Sequence, residues 1–297
     1  MNIAIYCTKT FGAKASFALR HYGVMHGHTV TEHSKPFNPS KFTCVIMFEQ
    51  SSKKCMLVAK ACEKTRTPVY WMQLGLLRVV PPYRVGPLSG YLTLGEHWSQ
   101  MIGKGVDYKM TAVGSLKTDF LDIQSRPRVD ATSCVVIDQP VEVQGGKNAA
   151  IPSLSVLEYV TAVRKACPSN MIVRVLPHYS RKMSTFAAVD RLSGVKVIKV
   201  NLWDVLANAG IVVTMFSTLG LECAGAGINV VSFIPAKYIS ERTLNMADYG
   251  IPTYSSEKAL ATVFGKPVVI DKNKMLPFLS NVMGPSASDR IFKAVRP

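Results

Sequence analysis

Acidic residues are scarce in this chain of 297 residues, with 19 Asp and Glu against 35 Lys and Arg, a formal net charge of +16 and a pI near 9.6. A polyanionic partner is expected. Nucleic acid comes first, since Lys and Arg that neutralise phosphates release counterions; an anionic membrane surface or an acidic glycan asks for the same charge. Charged residues make up only 18% and hydrophobic ones 48%, which excludes a disordered chain. No C-x-x-C pair is present. The seven cysteines are an odd set lying mostly in apolar runs, so they read as buried thiols in a reducing cytoplasm rather than as a disulfide framework. MNIAIYCTKT lacks the long apolar core and cleavage site of a secretory segment. The longest apolar stretch, Gly210 to Pro235, is broken by Glu222 and several glycines and reads as strand, helix and strand, so no transmembrane segment is expected. A cytoplasmic protein is the expectation, in the host cytoplasm if the chain is viral. Neither a solenoid repeat nor a low-complexity tract appears.

What is present is an alternation of short apolar runs with helical patterns. Asn2 to Cys7 reads as a strand, followed by a polar turn and a helix over Ser16 to Tyr22. Then come strands at Gly27 to His33 and Thr43 to Phe48, a helix over Ser51 to Thr65, and a strand at Pro68 to Leu74. Beyond a Pro- and Gly-rich loop lie a strand at Tyr91 to Leu94, a helix over Glu96 to Gly103 and a strand at Lys109 to Gly114. The polar segment Gln124 to Asp130 is the expected linker. The alternation restarts at Ser133 and ends with strands at Asn229 to Phe233, Thr253 to Tyr254 and Val268 to Ile270 and a terminal helix near Ser286 to Val295. The expectation is an α/β protein of two Rossmann-like domains, 1–128 and 129–297, with the terminal helix crossing back onto the first.

The richest local signal is the run from Ile211 to Phe233. A buried strand delivers Phe216, Ser217 and Thr218 to the start of a helix, where unpaired N–H groups and the positive helix end face the crevice above the sheet. A diphosphate suits that place, each such charge contact contributing about 0.3 to 1 kcal/mol when exposed and up to about 2 when partly buried. Ser217 or Thr218 would add a hydroxyl, and Glu222, one turn on, would accept two ribose hydroxyls. Locally, Ser217 reads equally as an N-cap and Glu222 as an ordinary acid that favours the helix dipole. His178, at a strand end, would donate to a phosphate or sugar with charge from Arg174, Arg181 or Lys182, or would cap a loop. His21, His26, His28 and His33 are close in sequence, but alternation along a strand sends them to different faces and no Cys or carboxylate set completes them, so no metal site is expected.

The run Ser217-Thr218-Leu219-Gly220-Leu221-Glu222-Cys223-Ala224, followed by Gly227-Ile228-Asn229-Val230, resembles the second-domain signature of the GT-B glycosyltransferases, in particular the capsule and surface-carbohydrate branch. That signature reads S-T-x-G-x-E-A and then G-x-P-V; Asn229 stands where proline is usual. LGEHWSQMIGKGV (Leu94 to Val106) with VGSLKTDFL (Val113 to Leu121) is similar to the family's passage at the end of the first domain. VRVLPHYSRK (Val173 to Lys182) is similar to its R-P-H-P strand end, with Tyr179 in place of the second proline. The resemblance implies two Rossmann-like domains facing each other across a cleft, a nucleotide-sugar donor held by the second domain with a UDP-sugar favoured, and no cofactor or metal required by the fold.

Sugar transfer with inversion needs a base for the acceptor hydroxyl and positive groups for the departing diphosphate. Glu49, just past a buried strand, is the first candidate base and Glu96 the second. Up to Asp130 the chain carries 17 Lys and Arg against 8 Asp and Glu, so the expected acceptor half is basic. Lys9, Lys14 and Arg20, Lys53 and Lys54, and Arg78 and Arg84 are the candidate contacts to a nucleic-acid backbone. Three functions follow. The first is a bacteriophage-type glycosyltransferase acting on hydroxymethylated pyrimidines in DNA, which must extrude its target base at a cost of a few kcal/mol. The second is a glycosyltransferase of surface or capsular polysaccharide, and the third a non-catalytic Rossmann-like nucleic-acid binder.

Overall fold

The structure, a computed structural model of the chain, describes residues 1–7, 10–48, 53–73, 88–103, 106, 109–123, 129–139, 154–178, 181–198, 202–240 and 243–296, the side chains of 10–15, 53, 123 and 202 excepted. Two compact units emerge: Met1–Ile123 with Leu276–Pro297, and Gln124–Met275.

In the first unit, β1 (Asn2–Tyr6), α1 (Thr10–Met25), β2 (Thr29–His33), β3 (Cys44–Met47), α2 (Lys53–Thr65), β4 (Val69–Met72), β5 (Gly90–Thr93), α3 (Glu96–Gly103), β6 (Met110–Ala112) and α4 (Leu116–Ile123) follow one another. The six strands form one sheet in the order β2-β1-β3-β4-β5-β6, every pairing parallel. Ile3, Ala4, Ile5, Val45, Ile46 and Met47 are fully buried, as the inner strands of a sheet covered on both faces must be. β2, at the edge, keeps polar residues exposed. The strand order reverses between β1 and β3. Lys9 and Glu49, which follow those two strands, lie outside the described residues, as do Arg78 and Arg84.

The second unit contains β7 (Asp130–Ile137), α5 (Val156–Ala166), β8 (Ile172–Leu176), β9 (Val195–Val197), α6 (Leu202–Ala207), β10 (Ala209–Thr214), α7 (Thr218–Gly225), β11 (Val230–Phe233), β12 (Thr253–Tyr254), α8 (Glu257–Ala261) and α9 (Lys272–Met275). Its sheet runs β12-β11-β10-β7-β8-β9, again parallel throughout. This is the doubly wound order with β7 as its first strand. Val135, Val136, Val173, Val175, Val212, Val213, Val230 and Val231 form a fully buried β-branched core. The strand expected at Val268 to Ile270 is not formed. β12 occupies the edge beside β11, and Val269 is 82% exposed.

The chain then returns to the first unit and ends in α10 (Ala287–Ala294). Its seat is built from the Leu94 and Val113 passages. His97 N–H donates to Pro277 O at 2.8 Å and Ser280 N–H to Leu94 O at 2.8 Å; Trp98 Nε1 donates to Phe278 O at 3.0 Å. Gly114 has φ +95°, and a Cβ there would lie 2.2 Å from Asn281 Oδ1, so only glycine serves. Asn281 exchanges bonds with both backbone groups of Ser115, at 3.0 and 3.1 Å. Asp119, buried in α4, accepts from Asn281 Nδ2 at 2.9 Å and from the N–H groups of Ala287 and Ser288 at 3.0 and 2.7 Å. It also accepts from Ser288 Oγ at 2.8 Å. Its carboxylate thus meets the unpaired donors and positive end of α10. Burial pushes the Asp119 carboxyl above its ordinary range, against the pull of these donors. Farther along α10, Phe292 packs its ring at 5.2 Å from Tyr22 and 4.8 Å from His28, and Tyr22 donates to Asp289 at 2.6 Å.

Replacing Asp119 by Ala strands three or more buried donors, and chemical denaturation should show stability lower by about 3 kcal/mol. Asp119→Asn, which keeps one acceptor, should lose less.

Candidate functional site

In an open parallel sheet the loops at the strand C-termini diverge where the order reverses, leaving a crevice. In the second unit that reversal falls between β7 and β10. β10 ends at Thr214, fully buried, whose Oγ1 accepts from Ser217 N–H at 3.3 Å. Ser217 is the N-cap of α7, its hydroxyl accepting from Leu219 N–H at 3.2 Å. The helix lies so close to the strand end that a Cβ on Gly220 would sit 2.6 Å from Thr214 Cγ2, which accounts for glycine in this run. Thr218 and Glu222 are four residues apart and share a flank. Glu222 is only 1% exposed and stands in the second turn, so it is not the first-turn acid that a purely local reading allows.

The loop after β10 is held by a residue that the sequence did not mark. The Gln139 amide, just past β7, accepts from Phe216 N–H at 3.1 Å and donates to Phe216 O at 3.4 Å. Its neighbour Asp138, which is buried, holds the loop on the other side. It accepts from His178 N–H at 3.0 Å and from Arg181 Nε at 2.8 Å. The ion pair is almost entirely buried, with side-chain exposures of 9% for Arg181 and 2% for Asp138. The end of β7 thus ties the His178–Arg181 turn to the Ser217–Thr218 turn. The only hint in the sequence was a polar pair directly after a buried strand. His178 is half-buried; burial, and then the Arg181 charge beside it, hold its imidazole below the ordinary value. At neutral pH it is therefore an uncharged donor and acceptor, and the Arg181 cation beside it is paired with Asp138.

Arg174 does not join this group. It bonds Asp130 at 3.3 Å, and Asp130 opens β7 at the N-terminal end of the strand, away from the end that carries His178. Arg174 is the middle residue of β8 (Ile172–Leu176), and His178 lies two residues past the strand's end. Among the first-unit candidates, Glu96 is exposed at the start of α3. Arg20 and Lys54 are exposed on α1 and α2. The side chains of Lys14 and Lys53, on the same two helices, lie outside the description. The crossovers β1–α1–β2 and β3–α2–β4 leave the reversal in opposite directions, and right-handed connections put their helices on opposite faces of the sheet, so Arg20 and Lys54 do not form one patch. Among the described residues no group of three or more His, Cys, Asp or Glu could hold a metal ion.

No family model matches this chain, and no curated protein matches it. Solved structures do. A Listeria monocytogenes protein assigned as a UDP-N-acetylglucosamine 2-epimerase is similar over 99% of this chain and 95% of its own, with a TM-score of 0.62 and 10% identity. The wall teichoic acid polymerase TagF is similar over 99% and 88%, with a TM-score of 0.58 and 10% identity. Anabaena HepE, in complex with UDP-glucose, is similar over 99% and 98%, with a TM-score of 0.51 and 12% identity. The fold is GT-B. Identity this low shows the fold alone. Within the GT-B frame, the Ser217 run and the His178 turn are brought to the one end of the second sheet where its winding reverses.

The low His178 value is open to measurement. Its imidazole proton resonance, assigned by its loss in His178→Gln, should titrate below about 6.5. Arg181→Gln removes the neighbouring cation and should move the midpoint upward. Because the shift is a depression, His178 opposes folding as pH falls below the unfolded value of about 6.5, and the effect is absent above it.

Proposed function

We propose that this chain is a glycosyltransferase that takes its sugar from a nucleotide-diphosphate-sugar seated at the β7–β10 reversal of the second unit. The observation that carries the reading is the joint anchoring of two loops by Asp138 and Gln139. It sets a helix N-terminus and a buried arginine at the same strand end. In this reading the start of α7, with the Ser217 and Thr218 hydroxyls, and the Arg181 guanidinium receive the diphosphate. Neutral His178 donates to a phosphate or sugar oxygen, and Glu222 accepts the ribose hydroxyls. Arg174, bound to Asp130, is left out of the donor contacts. A UDP-sugar is the favoured donor, in keeping with the UDP-glucose of the HepE structure and the substrate in the epimerase's name.

As the acceptor we propose a surface or capsular polysaccharide, because a wall teichoic acid polymerase is among the similar structures. A hydroxymethylated pyrimidine in DNA is supported by the basic charge of the first half alone. Glu49 is the first candidate for the base that takes the acceptor proton and Glu96, exposed at the start of α3, the second.

Incubating the protein with a panel of nucleotide-sugars and an oligosaccharide, unmodified DNA or hydroxymethylated duplex DNA, and weighing the products, tests both halves. Mass gain on the oligosaccharide is expected. Gain on the modified DNA alone would reverse the choice of acceptor, and interconversion of the donor sugar without transfer would replace the transferase reading by an epimerase. In calorimetry with the donor, Glu222→Ala should weaken binding about tenfold or more, with Glu222→Gln as the volume-preserving control of folding. Unchanged donor affinity in both variants refutes the ribose assignment.

A further inference from the structure

We propose that the outer face of α2 docks on an anionic lipid surface. The helix buries Cys55, Val58, Ala59 and Cys62, each at most 1% exposed, and that stripe is enough to seat it on the sheet. Met56 and Leu57 take no part in it and stand 45% and 58% exposed. Around them Lys54, Lys60 and Lys64 are exposed. The spacings 56–60 and 60–64 are one turn, and 57–60 is three residues, so the two apolar side chains and the lysines share one strip. Arg66, exposed just past the helix with φ 54°, and Lys41, exposed on the Pro39–Lys41 turn whose Pro39 O accepts from Thr67 Oγ1 at 3.2 Å, add positive charge near the helix end. Glu63 is the single acid among the exposed residues of α2.

The chemistry of this strip selects its partner. A nucleic-acid backbone would engage the ammonium groups and leave Met56 and Leu57 in water. The boundary of an anionic bilayer takes both, with the lysines at the headgroups and the apolar chains at the acyl edge. Among the described residues no helix is long and apolar enough to cross a membrane, so this is contact from one side.

The test is co-sedimentation of the whole protein with phosphatidylcholine vesicles that contain or lack phosphatidylglycerol, at low and high salt. Binding to the anionic vesicles only, weakened by salt, is expected. Removing Lys54, Lys60 and Lys64 together as Gln should lower it by about fivefold per lysine. Met56→Gln with Leu57→Gln should lower it several-fold while preserving its salt dependence. Lys258→Gln, Lys266→Gln and Lys272→Gln together, on the second unit, carry the same loss of charge and should leave it nearly unchanged. Equal binding to both vesicles, an equal loss in the second-unit variant, or indifference to the Met56 and Leu57 changes overturns the proposal. So does binding of duplex DNA through these lysines with no sedimentation on anionic vesicles. Circular dichroism of each variant separates loss of the face from loss of the fold.

Discussion

A parallel sheet wound in two directions has one place where neighbouring loops must part, and the second unit is organised around that place. β7 stands at the reversal with β8 on one side and β10 on the other. Whatever the strand presents at its C-terminal end governs both loops at once. Here it presents a carboxylate and an amide in consecutive positions. The carboxylate fixes an arginine and a backbone N–H, and the amide fixes both polar groups of Phe216. A buried ion pair is weak evidence of stability, since desolvation offsets much of its attraction. Its value in this position is geometric, because a long flexible cation is confined to one station at the C-terminal end of β7.

The first unit solves a different problem with similar chemistry. Its closing helix arrives late in the chain and needs its donors satisfied where water is excluded. Asp119 supplies four hydrogen bonds to the segment 281–288 from one buried side chain. Gly114 clears the space that Asn281 fills. The glycine and acid of the V-G-x-x-x-x-D passage are therefore a seat for α10.

The strands were readable because buried parallel strands leave continuous apolar runs: the strand expected from Ser133 is β7, which begins three residues earlier, and that expected at Asn229 to Phe233 is β11, shorter by one residue. The failure at Val268 to Ile270 is informative, since an apolar triplet reads as a strand whether or not a sheet edge remains to receive it. α4 was not read as a helix. Ser217 was legible because an N-cap is written in neighbouring residues. Asp138 and Gln139 were not, since their partners lie 40, 43 and 77 residues away and nothing local distinguishes them from ordinary loop residues. The partner of Arg174 was hidden in the same way, since its side chain bonds Asp130, 44 residues away.

The return of the chain to its first unit also orders events in time. Gly114 and Asp119 leave the ribosome long before Asn281, Ala287 and Ser288, the partners of Asp119 lying 162 to 169 residues on. Until those arrive, Asp119 has no helix end to meet and its desolvation is unrewarded. The second unit, which is continuous in sequence, is under no such delay. Synthesis from the N-terminus would thus leave the first unit waiting on residues 281–288, with one carboxylate unburied until they arrive.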